Sequence, residues 1–384
     1  MLSSAQSLRL KLIAFLGAVS SFLFVIPANG QSTYEFTIDE AQKFAYENNY
    51  DLINSEKQIE IARKQVKEYM SYGFPQINAT VGFNDYIELP TFIVPEGSFG
   101  PDSPEQELHF GTKYTAQADI VANQLILDGK YFLGVQASRK LLNKTQLEHF
   151  RNQINIKEEV AKAYYSVLVT RQNNDILDTT LSEVARLLDE TRLLFESGFA
   201  EDTDVDQLEL IANDLDATII YSRNQMEIAY NFLKFLIGLD LQDSVVLTTN
   251  FDHMLKGIDH YALMQDLFDY NENIDFQIMQ AQEQLALMKM KVERTEYFPT
   301  INAFLSYQTQ AQRNEFNFFG QSGKWFPTAV WGLEMKIPIL SSGYRSSRVQ
   351  AAKLNLEQVK VANEQLKTGL QIKVQTAKSE FNNA

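Results

Sequence analysis

Five carboxylates crowd the chain just after Gly198 and Phe199: Glu201, Asp202, Asp204, Asp206 and Glu209. Acids this close repel one another and attract cations, and they hold a closed state only where basic groups pair with them. A plainer role competes for the same residues. Thr203 or Asp204 would cap the helix that follows, and Asp206 would lie near its N-terminus, where negative charge suits the helix dipole. Gly198 would then supply only a turn at φ > 0. The rest of the chain offers no catalytic set. His109, His149, His253 and His260 are scattered, without HExxH or paired spacing. No GxSxG or P-loop pattern occurs. Cysteine is absent, which removes disulfides, thiolate metal sites, a cysteine nucleophile and a lipidated N-terminal cysteine. A formal net charge of −15 argues against nucleic acid as a partner, since phosphate binding needs a basic face. The expectation is a protein that is not an enzyme and needs no cofactor.

The N-terminus reads as a targeting segment. Arg9 and Lys11 precede an apolar run over residues 12–26, the length of a signal-peptide core and short for a membrane span. Pro27 breaks the run, and Ala28-Asn29-Gly30 places small residues at a cleavage site. Residues 1–30 are therefore expected to leave, with Gln31 opening a mature chain whose charge falls from −15 to −17 as Arg9 and Lys11 go. A retained N-terminal anchor is the alternative. No long apolar run follows, so a mature chain that enters a membrane must do so as a closed β-barrel.

Two periodicities organise the remainder. Residues 32–72, 135–197, 199–237 and 258–298 contain neither Gly nor Pro and are rich in good helix formers. The longest, as one helix, would reach on the order of 90 Å and would need coiled-coil-like partners. Gly198 sits where two such helices turn into a hairpin. Between these stretches the period is two, over residues 76–84, 112–123, 300–308 and 328–337. Ile77, Ala79, Val81 and Phe83 alternate with Asn78, Thr80, Gly82 and Asn84, and Ala329, Trp331, Leu333, Met335 and Ile337 alternate with Thr328, Val330, Gly332, Glu334 and Lys336. Strict alternation means strands with one apolar face, either in a lipid-facing barrel or in a soluble sheet packed on a core. Residues 86–111, with Pro90, Pro95, Pro101 and Pro104, and residues 310–325 read as irregular loops. Long loops on one side suit a barrel. Phe318, Phe319, Trp325, Phe326 and Trp331 form either part of an interfacial girdle or ordinary loop and core packing.

The chain also repeats. Phe74-Pro75-Gln76-Ile77-Asn78-Ala79 matches Phe298-Pro299-Thr300-Ile301-Asn302-Ala303, and Gly129 with Gln136-Ala137 matches Gly343 with Gln350-Ala351. Each unit reads helix, strand, strand, long helix, returning helix. The division expected is a first repeat over residues 31–238, an equatorial linker over 239–257 and a second repeat over 258–384. By the glycine match Ala384 corresponds to Thr170 (384 − 214 = 170), so the second repeat is expected to be truncated before its hairpin is complete, by roughly 70 residues.

This ordered set of features resembles the TolC family of outer-membrane efflux proteins, across essentially all of the mature chain. The carriers are Ile38-Asp39-Glu40-Ala41 with Asn48-Asn49; Gly73-Phe74-Pro75 and Tyr297-Phe298-Pro299; residues 124–129 and their second copy, Ile337 to Leu340 with Gly343; and Gly198-Phe199 with Asp204-Val205. The resemblance implies a mainly α fold with a four-stranded β contribution: an α-helical barrel plus a 12-stranded transmembrane β-barrel shared by a homotrimer. It implies a passive duct in outer-membrane lipid, working with a periplasmic adaptor and an inner-membrane pump in efflux or type I secretion. It also implies that Asp204, with Asp202 and Asp206 beside it, helps hold the periplasmic end shut, that the adaptor docks at Gly198 and Phe199, and that Pro75, Pro299, Gly129 and Gly343 mark helix–strand junctions. A soluble periplasmic coiled-coil scaffold is the rival reading; a solute-uptake porin needs many more strands per chain.

Overall fold

The computed structural model describes residues 33–98, 100, 104–249, 268–320 and 323–383. The expected signal peptide, His253, His260 and the later part of the expected linker lie outside the described residues. The chain forms two compact units, one drawn from Met1–Asn49 and Ile156–Ile258, the other from Tyr50–Asn155 and Asp259–Ala384.

In the first unit, β1 (Thr33–Phe36) pairs in parallel with β6 (Ser244–Leu247), Phe36 opposite Leu247. Residues 32–72 are therefore not one helical stretch. β1 comes first, then α1 (Ile38–Asn48), a break at Asn49, and α2 (Tyr50–Ser71), which belongs to the second unit. Thr37 and Glu40 close a reciprocal capping box at the start of α1, with Thr37 N–H donating to Glu40 at 2.8 Å. The long helices are α3 (Gly129–Glu196), whose later part lies here, and α4 (Asp202–Ile237). Tyr164 is fully buried, as are Ala41, Val160, Val167, Leu233 and Ile237. Its hydroxyl donates to the Phe36 carbonyl at 2.9 Å and accepts the Thr249 N–H at 3.2 Å, so the polar tip of a buried ring is satisfied.

Two chain breaks cap each other in this core. Gly238 ends α4 with φ +79°; its N–H bonds Phe235 O, and Leu239 N–H bonds Lys234 O at 2.9 Å, the pattern of a Schellman cap. A Cβ at 238 would lie 2.2 Å from the Asn48 carbonyl oxygen, so only glycine admits this approach. The buried Asn49 amide donates to Leu236 O at 2.7 Å, satisfying a carbonyl that the helix end leaves open.

In the second unit, β2 (Gln76–Asp85), β5 (Tyr114–Leu127), β7 (Thr300–Arg313) and β8 (Phe326–Lys336) form one antiparallel sheet in the order β2-β5-β7-β8. The first loop is less irregular than its prolines suggest: β3 (Thr91–Val94) and β4 (Gln106–His109) pair within it. β7 runs on to Arg313, into what reads as the second loop. Helix α5 (Ile274–Thr295), capped by Asn273, packs Met290 against Ala352 and Leu356 of α6 (Tyr344–Asn383).

The repeat is visible in backbone detail. α2 and α5 each hold 22 residues, and the same offset relates their starts (274 − 50 = 224) and the starts of β2 and β7 (300 − 76 = 224). Both helices finish alike, with Phe74 N–H to Ser71 O and Phe298 N–H to Thr295 O, each at 3.0 Å.

Candidate functional site: sheet, junctions and hairpin tip

The four strands align their alternation across the whole sheet. One face carries the rows Ile77, Ala122, Leu305, Trp331 and Ala79, Ile120, Tyr307, Ala329; the other carries Thr80, Asp119, Gln308, Thr328. The apolar face is not a core. Val81 is 82% exposed, Trp331 76% and Ile77 69%, so among the described residues nothing covers it. A soluble sheet buries such a face, because apolar area left in water costs about 25 cal/mol per Å². Among the described residues the outer edges of β2 and β8 are also free, and an open edge does not survive in lipid.

The aromatic residues divide between roles. Trp331 stands on the apolar face, whereas Phe326, opposite Gln310, falls on the polar one. Phe318 is buried, edge-on to Phe83 at 5.7 Å and under the Arg313 guanidinium at 4.8 Å. It packs the loop and does not belong to a girdle. Phe319 is 94% exposed.

The junction residues lie where helix gives way to strand. Pro75 and Pro299 immediately precede β2 and β7, where an extended residue before proline suits the change of backbone. Gly129 opens α3 against Thr295, whose Cβ would lie 2.8 Å from an added Cβ. Gly343 stands just before α6. Lys130 reaches Glu296 at 2.5 Å, and Arg348 reaches Glu293 at 2.8 Å and Glu296 at 3.3 Å. Both glutamate side chains are only 11% exposed. The hydrogen bond from Lys130 holds the Glu296 carboxyl below the usual carboxylate range, more than its burial raises it.

At the hairpin tip, Gly198 takes φ +78°. Its N–H bonds Phe195 O at 2.9 Å and Phe199 N–H bonds Leu194 O at 2.8 Å, a second Schellman cap. Phe199 is 83% exposed. The capping assignment changes: the residue before α4 is Glu201, not Thr203 or Asp204. Glu201 N–H donates to the Asp204 carboxylate at 3.2 Å, Asp204 N–H donates to Glu201 O at 3.1 Å, and the Thr203 hydroxyl donates to the Glu201 carboxylate at 3.3 Å. Asp204 thus acts as the reaching-back partner at the third helical position. Asp202, Asp204 and Asp206 are exposed and have no ion pair among the described residues, while Glu209 pairs with Arg192. No group of three or more His, Asp or Glu could hold a metal among the described residues, and no described helix is long and apolar enough to cross a membrane. The sequence reading missed the capping roles of Asn49 and Glu201 and the Lys130–Glu296–Arg348 network. The Asn48-Asn49 break in an otherwise helical run was a usable signal for the first of these.

Residues 43–239 and 270–384 match the sequence profile of a family described as outer membrane efflux protein. The chain belongs to that family. This efflux protein is 22% identical over 334 residues to the outer membrane protein TolC of Vibrio cholerae, covering 86% of this chain and 72% of that one. Its fold is similar to the Campylobacter jejuni CmeC outer membrane channel, with TM-score 0.64 and 15% identity over 86% of this chain and 68% of that one. It is likewise similar to the outer membrane protein VceC of Vibrio cholerae, with TM-score 0.61 and 12% identity over 86% and 75%. The efflux protein is an outer-membrane channel subunit whose helices extend into the periplasm.

Proposed function

We propose that three copies of this chain close a 12-stranded barrel in the outer membrane, each giving β2, β5, β7 and β8, and that their helices wall a periplasmic tunnel. The observation that carries this reading is the aligned apolar face with nothing over it, on a sheet with two free edges. Lipid suits the face, and closure removes the edges. The duct is passive and serves a tripartite efflux or type I secretion system, with a periplasmic adaptor and an inner-membrane pump as partners. In a threefold assembly the tip acids recur about the axis, so Asp202, Asp204 and Asp206 line the periplasmic end and hold it shut only where basic groups come to pair with them, and Gly198 with the exposed Phe199 offers the adaptor its foothold. The repeats over residues 31–238 and 258–384 supply the two halves of each subunit, with 239–257 as the linker between them.

Native mass and membrane fractionation of the full chain test the reading. A salt-resistant trimer in the outer-membrane fraction supports it. Release by a salt wash favours the soluble scaffold, which the uncovered apolar face already speaks against.

A further inference from the structure

The internal repeat predicts what the free edge of β8 pairs with, residue by residue. In the first hairpin Gln76 stands opposite Asn123, and in the second Thr300 stands opposite Lys336. Asn123 and Lys336 are therefore equivalent (336 − 123 = 213). Past Asn123, strand β5 continues to Leu127 by pairing with the start of β7: Gln124 opposite Ala303, Leu125 opposite Asn302 and Leu127 opposite Ile301, with Ile126 bulged out. Past Lys336, β8 stops. The equivalent residues Ile337, Pro338, Ile339 and Leu340 are outside any strand, with Ile339 91% and Leu340 84% exposed. Both segments are largely apolar, with Ile337 and Pro338 standing where the first has Gln124 and Leu125. β5 has a neighbour on that side, and β8 has none.

The helix beside it shows the same vacancy. An added Cβ at Gly129 would press on Thr295, whereas one at the matching Gly343 would meet nothing within 4 Å. Lys130 is held by Glu296, and its match Tyr344 is 59% exposed. The 224-residue offset turns Thr295 into Ser71 and Glu296 into Tyr72, and Tyr72 is itself 53% exposed.

We infer that the β8 edge takes the β2 edge of a second copy in the register that β5 uses with β7, and that residues 337–340 become strand when it does. Carrying the β5–β7 pairs across by the two offsets sets Leu333 opposite the partner's Phe83, Met335 opposite the partner's Val81 and Ile337 opposite the partner's Ala79. These three pairs match apolar with apolar, Trp331 falls opposite the partner's Asp85 at the far end of β2, and Lys336 falls opposite the partner's Thr80 on the polar face. A one-residue slip would invert both faces. Pro338 lands beside the bulge, a position that tolerates a missing N–H. On the helix side Tyr344 comes to the partner's Tyr72, so the seam between copies replaces the internal Lys130–Glu296 ion pair with two tyrosines. This inference rests on the proposed trimer and adds its register.

The chain has no cysteine, so paired substitutions report the seam without background. Three double variants of the full chain carry Leu333→Cys with Phe83→Cys, Met335→Cys with Val81→Cys, and Ile337→Cys with Ala79→Cys. A fourth, Leu333→Cys with Val81→Cys, is shifted by two residues on the same face. Each is purified from outer membranes, its native mass measured, and its thiols joined by oxidation or a short bis-thiosulfonate. The expected result is covalent trimer in the three matched variants at roughly tenfold the yield of the shifted one, because disulfide geometry tolerates little separation. A shifted variant that joins as well as the matched ones overturns the register while leaving the trimer standing. Trimers by native mass that no pair joins show that the seam lies elsewhere and overturn the inference alone. Monomers in every variant and in the parent chain overturn the inference together with the proposed trimer.

Discussion

At the first helix-to-strand junction Tyr131 lies over Gly73, its hydroxyl donating to the Met70 carbonyl at 3.3 Å, while Tyr69 stands edge-on to Tyr72 at 6.1 Å and against Gly134. At the second, the residues matching Tyr69 and Tyr72 are Glu293 and Glu296, and those matching Tyr131 and Gly134 are Arg345 and Arg348. The backbone is alike at both: Gly73 N–H to Met70 O at 3.2 Å, and Tyr297 N–H to Arg294 O at 3.3 Å. One backbone turn is thus braced by rings on glycine in one repeat and by ion pairs in the other. The geometry follows from the local helix end and the proline. The bracing is free to vary, provided each solution satisfies its own buried polar groups.

The largest effect expected comes from Glu296→Ala. It leaves Lys130 without its partner and takes one contact from Arg348, a loss of about 2 kcal/mol for charged hydrogen bonds at partly buried groups. Hydrogen exchange at the Tyr297 and Phe298 amides then speeds up about thirtyfold, and the Gly73 and Phe74 amides keep their rates. Equal acceleration at both junctions would mean that the two are not separately braced. Gly73→Ala is the converse. The new Cβ falls 2.2 Å from the Tyr131 hydroxyl oxygen and 2.4 Å from its ring. The ring must swing away and lose the Met70 bond, at about 1–2 kcal/mol, so the first junction alone exchanges faster.

Acid sharpens the contrast without mutation. The folded carboxyl of Glu296 titrates below its unfolded value because Lys130 donates to it. Its contribution is therefore complete above the ordinary glutamate pKa of about 4.3 and is lost as pH falls through the lower folded value. Measured down that range and corrected for the intrinsic fall of amide exchange with pH, protection should drop at Tyr297 and stay level at Gly73; the reverse order would assign the acid response elsewhere. The smallest effect is that of salt. Lys130 is 48% exposed, so raising ionic strength to about 1 M loosens the second junction by up to ~0.5 kcal/mol. The aromatic junction should not respond.

Much of this architecture was legible in the residues. The four strands announced themselves through alternation because one face is apolar and the other mostly polar, with Val121, Phe304 and Val330 among the exceptions, and Phe74-Pro75 with Phe298-Pro299 fixed the offset that α2 and α5 obey. The failures have physical causes. β1 and β6 hold four residues each, too few to show a period. Glu201 was passed over as a cap because Asp and Thr outrank Glu there, yet its backbone takes the cap position while Asp204 reaches back. The junction bracing was hidden because Tyr69 and Glu293 share a position without sharing a type. The free edges and the bareness of the apolar face follow from topology, which periodicity does not carry.

The pairing of β5 with β7 joins Tyr114 to Arg313, residues far apart in the chain, whereas β2 with β5 and β7 with β8 are each joined through a single loop. Closing so long a segment is entropically slow, so the short hairpins form first and the union of the two last. A lone two-stranded ribbon is marginal in water. The broad apolar surface is therefore expected to come together as one continuous patch only when the two hairpins join, at the last step of sheet formation.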